Sequence, residues 1–300
     1  MTHRLKTQVV YKEFAPSLFS QPIFVMQSRH SRAINTGFLE KRSHSSVFIP
    51  GRLNLGADRE KDTYQATIQS LQIAPVKKIL KRFKPGEIST VTVLRETLSC
   101  GLNRALDEIG ISPHFGDAFI GASHIKGDGE IRTAYLYENI EGLHPKGLWI
   151  IADSICIGRN LASTMQSLLK KFQPAHILFI SPIASRIGIN NIGKITAGKN
   201  IPTTFVAWGA LFGVDEETLY DMPWGHPDTQ ALDQRDQDLA VSIYGKNVCM
   251  GGDFGNNYYC PDLAIKLYQT QLTMHYVKPK IPSGKSVLKI YERSELLIRN

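Results

Sequence analysis

Hydrophobic positions are sparse and weakly periodic over residues 1–60, where Ser, Gln and Arg mix with isolated aromatics, and the pattern predicts an irregular N-terminal extension. From Asp62 the order changes. DTYQATIQSLQIAPVKKILKRF places apolar residues near every third or fourth position, the spacing of an amphipathic helix, with Pro75 interrupting it and Pro85-Gly86 ending it. A strand–helix rhythm follows. TVTVL (90–94) is a short β-rich run, and RETLSCGLNRALDEI reads as a helix that Gly110 terminates. DAFIGAS and IRTAYLYE read as strands. LWIIAD (148–153), HILFIS (176–181) and IPTTFVAW (201–208) are apolar runs of the kind buried on both faces of a parallel sheet, with a helix over 160–172 between the first two.

This alternation predicts an α/β fold with a mostly parallel central sheet flanked by helices, and ligands at the carboxyl ends of the strands. Between Gly209 and Gly245 the rhythm lapses into a polar, acidic stretch carrying Pro223, Trp224 and Pro227. Its length suits a lid, a hood or a partner-contact element. The chain therefore divides into an N-terminal extension over 1–87 (irregular, then helical), a core over 88–275 with the lid-like insertion at about 209–245, and a tail over 276–300.

Composition narrows the class. With 42% hydrophobic and 21% charged residues this is an ordinary globular chain, and no apolar run approaches the roughly 18 residues of a membrane helix. The opening MTHRLKTQVVYKEF lacks the apolar stretch of a secretory signal. Cys100, Cys156, Cys249 and Cys260 are widely spaced without a CxxC pair, and are read as reduced thiols of a cytoplasmic protein. The net charge of +8 is uneven, since residues 1–90 hold 15 Lys and Arg against 6 Asp and Glu. Such an excess suits a polyanion partner or a solvated basic helical face around Lys77, Lys78, Lys81, Arg82 and Lys84; no nucleic-acid motif or aromatic interleaving accompanies it, which favours the solvated face.

The segment richest in chemistry is GLWIIADSICIGRNLASTMQSLL (147–169). An apolar strand delivers Asp153, a short loop follows, and an amphipathic helix begins near Asn160. Amides at a helix N-terminus favour an anion, Gly158 lets backbone approach closely, and Asp153 is placed to accept from ribose hydroxyls or hold a hydrated Mg²⁺. The same pattern also serves as a plain helix cap. Other candidates are weaker: GGDFG (251–255) does not open a helix as a dinucleotide fingerprint does, and His124, His144 and His226 lack metal-ligand spacing. Arg95 is also placed to pair with Glu96 or Asp107 on the helix it opens, and Trp208, Phe212, Tyr220 and Trp224 suit local packing better than base stacking.

Four segments in order give the chain a resemblance to the uracil phosphoribosyltransferases of the type I phosphoribosyltransferase family. VLRETLSCGL (93–102) is similar to the family's Leu-Arg-Ala-Gly segment, and HIKGDGEIRTAYLYENI (124–140) to its flexible loop and following strand. The Asp153 segment resembles the loop that binds phosphoribosyl pyrophosphate, and CMGGDFGNNYYC (249–260) the segment that closes the base pocket. The resemblance spans roughly residues 88–265.

It implies a transferase that moves the 5-phosphoribosyl group from phosphoribosyl pyrophosphate to a uracil-like or other heterocyclic base, with Mg²⁺ carried by the pyrophosphate, in a homodimer. Position by position, it implies that Arg95 and Lys126 bind the pyrophosphate and Asp153 the ribose hydroxyls. Ser154, Ile155, Cys156, Ile157, Gly158, Arg159, Asn160 and Leu161 then form the 5′-phosphate loop. Asp253 reaches the ribose or the Mg²⁺-bound pyrophosphate, Gly252 and Phe254 frame the base, and Asn247 stands where the family reads the base from the backbone. The chain departs from the family at Gly158, Arg159, Asn160 and Leu161, where Thr-Gly-Gly-Ser is expected. Lys126 replaces an arginine, losing its bidentate fork, and Asn256 and Asn257 replace an acid and a base. The altered loop motivates a second expectation, a non-catalytic ligand sensor or regulator on the same fold.

Overall fold

In the computed structural model, which describes residues 9–35, 37–41, 46–50, 56–94, 96–112, 116–127, 130–217, 219 and 221–246, the apolar runs become inner strands of one eight-stranded sheet. The first part of the chain gives β1 (Val10–Phe14), β2 (Ile23–Gln27), α1 (Arg29–Asn35), the hairpin of β3 (Gly37–Lys41) and β4 (Ser46–Pro50), α2 (Gly56–Gln72) and α3 (Ala74–Leu80). Then come β5 (Ile88–Leu94), α4 (Leu102–Glu108), β6 (Asp117–Gly127) and β7 (Glu130–Asn139). The remainder is β8 (Leu148–Ala152), α5 (Arg159–Lys171), β9 (His176–Ser181), β10 (Ala184–Ser185), α6 (Arg186–Ala197), β11 (Thr203–Trp208), β12 (Ala210–Phe212), β13 (Gln230–Ala231) and α7 (Gln234–Tyr244). The sheet order is β1-β2-β11-β9-β8-β5-β6-β7. Its six inner strands are parallel, and each edge is closed by an antiparallel strand, β1 on β2 and β7 on β6.

Side chains alternate across a strand, so each inner strand feeds two cores. On β8, Trp149 and Ile151 join one core, where α5 contributes Leu161, Met165, Leu168 and Leu169 and α6 contributes Ile189 and Ile192. Leu148, Ile150 and Ala152 join the other, beneath α2, α3 and α4. Both faces are covered, which is why these strands read as continuous apolar runs. The Phe179 and Phe205 rings stack at 4.9 Å between neighbouring strands β9 and β11.

The N-terminal stretch differs from expectation. Rather than an irregular extension, it supplies β1 and β2, and IFVMQ in β2 is buried throughout and pairs in parallel with β11. The run is five residues long, too short for periodicity to distinguish it from a loop. The helix expected over 95–109 is also divided. A 3₁₀ turn over Glu96–Cys100 precedes Gly101, whose left-handed φ of +53° disfavours other residues and where a Cβ would stand 3.2 Å from the Tyr64 ring, before α4 starts. The interruption expected at Pro75 is present: α2 ends at Gln72, and Pro75 stands in the first turn of α3.

The acidic stretch after Gly209 carries β12, β13 and α7, with Phe212 packed edge-on to the buried Trp224 at 4.9 Å. The local-packing reading of Trp208, Phe212 and Trp224 fits their burial. α7 is fixed to the carboxyl end of β2, where Gln27 Nε2 donates to Asp236 Oδ2 and the Arg32 guanidinium stands 3.1 Å from the same oxygen. The basic face of α3 is solvated, since Val76, Ile79 and Leu80 are buried while Lys77 and Lys78 are exposed. Among the described residues no helix is long and apolar enough to cross a membrane, and Cys100 and Cys156 form no disulfide.

Ile23 is fully buried and pairs with Phe205, so Ile23→Ala is expected to cost about 2–5 kcal/mol, read as a lower urea midpoint with an unchanged slope. A loosely attached extension would leave the midpoint where it was.

Candidate functional site

Winding order locates the site. β5 leads through α4 to β6 on one side; the chain then crosses to β8 on the other side of β5 and continues through α5 and α6 to β9 and β11. Where the winding direction reverses, the connections diverge and leave a crevice at the carboxyl ends of the two strands. β8 ends at Ala152, which pairs with Thr92, two residues before β5 ends at Leu94. Asp153 therefore stands one residue beyond that pair, next to the last residues of β5.

The loop after Asp153 is held by α6 through its main chain. Asp153 extends the ladder with an N–H bond to the Ile180 carbonyl (3.3 Å), and its carboxylate Oδ1 accepts the Ser154 amide at 2.8 Å. The Ile155 amide donates to the Ile183 carbonyl, and Ile155 forms a parallel bridge to Ala184. The next three carbonyls all turn to the start of α6. Ile155 O accepts the Ser185 amide at 2.8 Å, Cys156 O accepts the Ser185 hydroxyl, and Ile157 O accepts Asn191 Nδ2 at 2.9 Å. A trans peptide plane points its C=O and N–H in opposite directions, so the amides of Cys156, Ile157 and Gly158 point away from α6. They run into the first-turn amides of α5, which have no carbonyl of their own helix to bind. Successive amides on one side of a turn at a helix N-terminus make a concave seat for an anion.

Two glycines permit this contact. Gly158, the N-cap of α5, has φ +70°, and a Cβ on it would stand 2.9 Å from the Gly188 carbonyl. A Cβ on Gly188 would lie 2.0 Å from the Cys156 carbonyl oxygen, inside any permitted contact. Ile155 and Leu161 are each about 1% exposed and anchor the loop in the core, so they offer a ligand only their backbone. Arg159 is exposed, while Asp153, Ser154, Cys156, Ile157 and Asn160 are half-buried. The Cys156 thiol donates to the Leu219 carbonyl at 3.7 Å, which brings the stretch after Gly209 against the loop. Burial, reinforced by the charge of Asp221, pushes that thiol up to about 12, while a bond to the Ile157 backbone opposes it. Cys156 is thus a neutral packing group at ordinary pH.

Of the other expected site residues, Lys126 is placed by its strand: it pairs with Ile131 in the β6–β7 hairpin. Gly121 is the last β6 residue paired to β5, at Leu94, so Lys126 lies about 17 Å further along the strand, past the carboxyl edge of the sheet. Arg95, Asn247, Gly252, Asp253 and Phe254 lie outside the described residues. Reading by motif missed Ser185, Gly188 and Asn191. A signal was there: Ser185 begins a helix, and its hydroxyl accepts the Gly188 amide at 2.9 Å as an N-cap does. Among the described residues no group of three or more His, Cys, Asp or Glu is arranged to hold a metal ion.

No family model and no curated protein matches the chain. Solved structures with a similar fold include the hypoxanthine-guanine phosphoribosyl transferase of L. donovani (14% identical, 43% of this chain and 74% of that one, TM-score 0.33). The orotate phosphoribosyltransferase of Aeropyrum pernix is 15% identical over 63% of this chain and 91% of its own, with a TM-score of 0.35. A hypoxanthine phosphoribosyltransferase of Trypanosoma cruzi, complexed with the product IMP, is 17% identical over 50% of this chain and 74% of its own, with a TM-score of 0.34.

Gly188→Ala is expected to force the loop off α6 at a cost of about 1–3 kcal/mol, read by thermal or urea unfolding. At pH 8, peptide mapping after iodoacetamide treatment is expected to find Cys156 far less alkylated than an exposed model thiol. Because the folded thiol holds its proton up to about 12 against a reference of 9.0, its contribution to stability is full below pH 9 and declines as pH rises from there toward 12.

Proposed function

We propose that the chain is a phosphoribosyltransferase of the type I family, transferring the 5-phosphoribosyl group of phosphoribosyl pyrophosphate to a uracil-like or other heterocyclic base. The observation that carries this reading is the loop at the switch point: three successive carbonyls, from Ile155 to Ile157, are drawn to α6, and the amides are left facing the other way beside Asp153. That seat suits a sugar phosphate, with the acid one strand-end away positioned for the ribose hydroxyls. The order of the four resembling segments along the sequence supports the same reading.

In the reaction a ring nitrogen of the base attacks ribose C1′. The new C–N bond forms as the C–O bond to pyrophosphate breaks; the bonding pair leaves with pyrophosphate, and the nitrogen's proton passes to solvent. Mg²⁺ carried by the pyrophosphate would supply charge neutralisation there, and the Asp153 carboxylate at the strand end would be suited to meet its hydration shell. The protein's share is placement and charge. The loop from Ser154 to Leu161 fixes the 5′-phosphate through backbone amides, with Arg159 beside it as a cation. Asp153 orients the ribose, Arg95 and Lys126 draw off charge on the leaving group, and Asp253, Gly252, Phe254 and Asn247 frame the ribose and base. The β6–β7 hairpin, which runs past the carboxyl edge of the sheet, is suited to bring Lys126 over the donor and exclude water.

A second reading rests on the loop's composition: Arg159 and Asn160 stand where the family has glycine, and its two hydroxyl side chains are gone, as suits a sensor that binds donor without turning it over. Pyrophosphate release, measured with donor, Mg²⁺ and a panel of bases, separates the two. The transferase reading expects release with one base and a drop in kcat/KM of roughly 10- to 150-fold in Asp153→Asn, the worth of one hydrogen bond to a charged group. Donor binding with silence across the panel selects the sensor, and a chain that binds no donor sinks both.

A further inference from the structure

At the opposite edge of the sheet, where β8 and β11 begin, lies a cavity of about 360 Å³. This is within the roughly 300–1,000 Å³ of small-molecule sites. Three segments converge on it. Lys170 and Lys171 come from the last turn of α5, Lys146 from the turn before β8, and Lys199 from the turn between α6 and β11. All four lysines are exposed, and the largely buried Leu169, Phe172 and Ile201 add apolar lining.

We propose that this cavity is a second ligand site, separate from the Asp153 loop, and that it takes an organic polyphosphate: a multiply charged phosphate chain joined to an apolar or aromatic group. The charge balance supports this. Two helices, α5 and α6, end beside the cavity, and each helix end carries about half a negative charge. The only carboxylate paired to a lining lysine among the described residues is Glu138, 3.2 Å from Lys171. Together these offset about half of the four positive charges. Like charges gathered from separate segments repel one another, and a concave wall concentrates their field on whatever enters. A polyanion relieves that repulsion. The apolar lining from Leu169, Phe172 and Ile201 favours an organic ligand over inorganic phosphate.

Binding of adenosine triphosphate and of inorganic tripolyphosphate to the full chain, measured by isothermal titration calorimetry, tests the proposal without reference to transferase activity. The site predicts that the nucleotide binds more tightly than tripolyphosphate. It also predicts that Lys146→Gln with Lys199→Gln weakens the nucleotide about tenfold or more, the scale of one lost charge-assisted bond, with the urea midpoint unchanged. Gly188→Ala, which disturbs the Asp153 loop, is expected to leave that affinity as it is. The proposal is overturned if the nucleotide does not bind, if the lysine variant binds as the parent does, or if the loss follows Gly188→Ala instead. Equal affinity for the two probes overturns its organic part. Because the readout is binding, a chain inactive as a transferase but sensitive to the lysines still upholds the second site.

Discussion

Everything at the candidate site depends on the parallel pairing of β5 with β8, from Ile88 opposite Leu148 to Thr92 opposite Ala152. At this pair the connections leave to opposite faces, since α4 leads from β5 to β6 over one core and α5 leads from β8 to β9 over the other. The crevice is a consequence of chain order alone. Any side chain at the end of β8 falls beside the end of β5, and Asp153 holds that position. The two cores act on the same pair from either face, so a shift of one residue would exchange Trp149 and Ile151 for Leu148, Ile150 and Ala152.

The geometry of the loop is a matter of main chain more than of side chains. Ser185, through its amide and hydroxyl, and Asn191, through its side-chain amide, satisfy three consecutive carbonyls that would otherwise compete for the interior of the turn. Once those acceptors are occupied, the peptide planes have one orientation. The side chains at 159 and 160 can then vary without altering the amide lining, and what they add is charge and reach. Cys156 illustrates the point: a reactive residue type, it is used here as a neutral filler against Leu219.

How much of this was legible in the sequence follows the length and continuity of each signal. LWIIAD, HILFIS and TTFVAW announced a doubly covered parallel sheet because an unbroken apolar run has few other uses. Asp153 and Gly158 were legible because a strand, an acid, a short loop and an amphipathic helix follow each other directly. IFVMQ was not, since a five-residue strand between Pro22 and Ser28 carries too few periods and its partner, β11, lies far along the chain. The break at Gly101 was missed because one left-handed glycine inside a helical pattern leaves no mark on the apolar periodicity. Ser185, Gly188 and Asn191 were hidden because their role exists only where two helix starts meet, and no local pattern records a meeting of distant segments.

The terminal strands carry a consequence for how the protein behaves among other chains. A parallel sheet left bare at its sides would offer a long row of unpaired amides and carbonyls to any extended polypeptide. Here one side is finished by β1, only five residues long and bearing Lys12 and Glu13, and the other by β7, with Glu138 near its end held by Lys171. Brevity at β1 and charge at both margins discourage the stacking of one molecule's sheet onto another's.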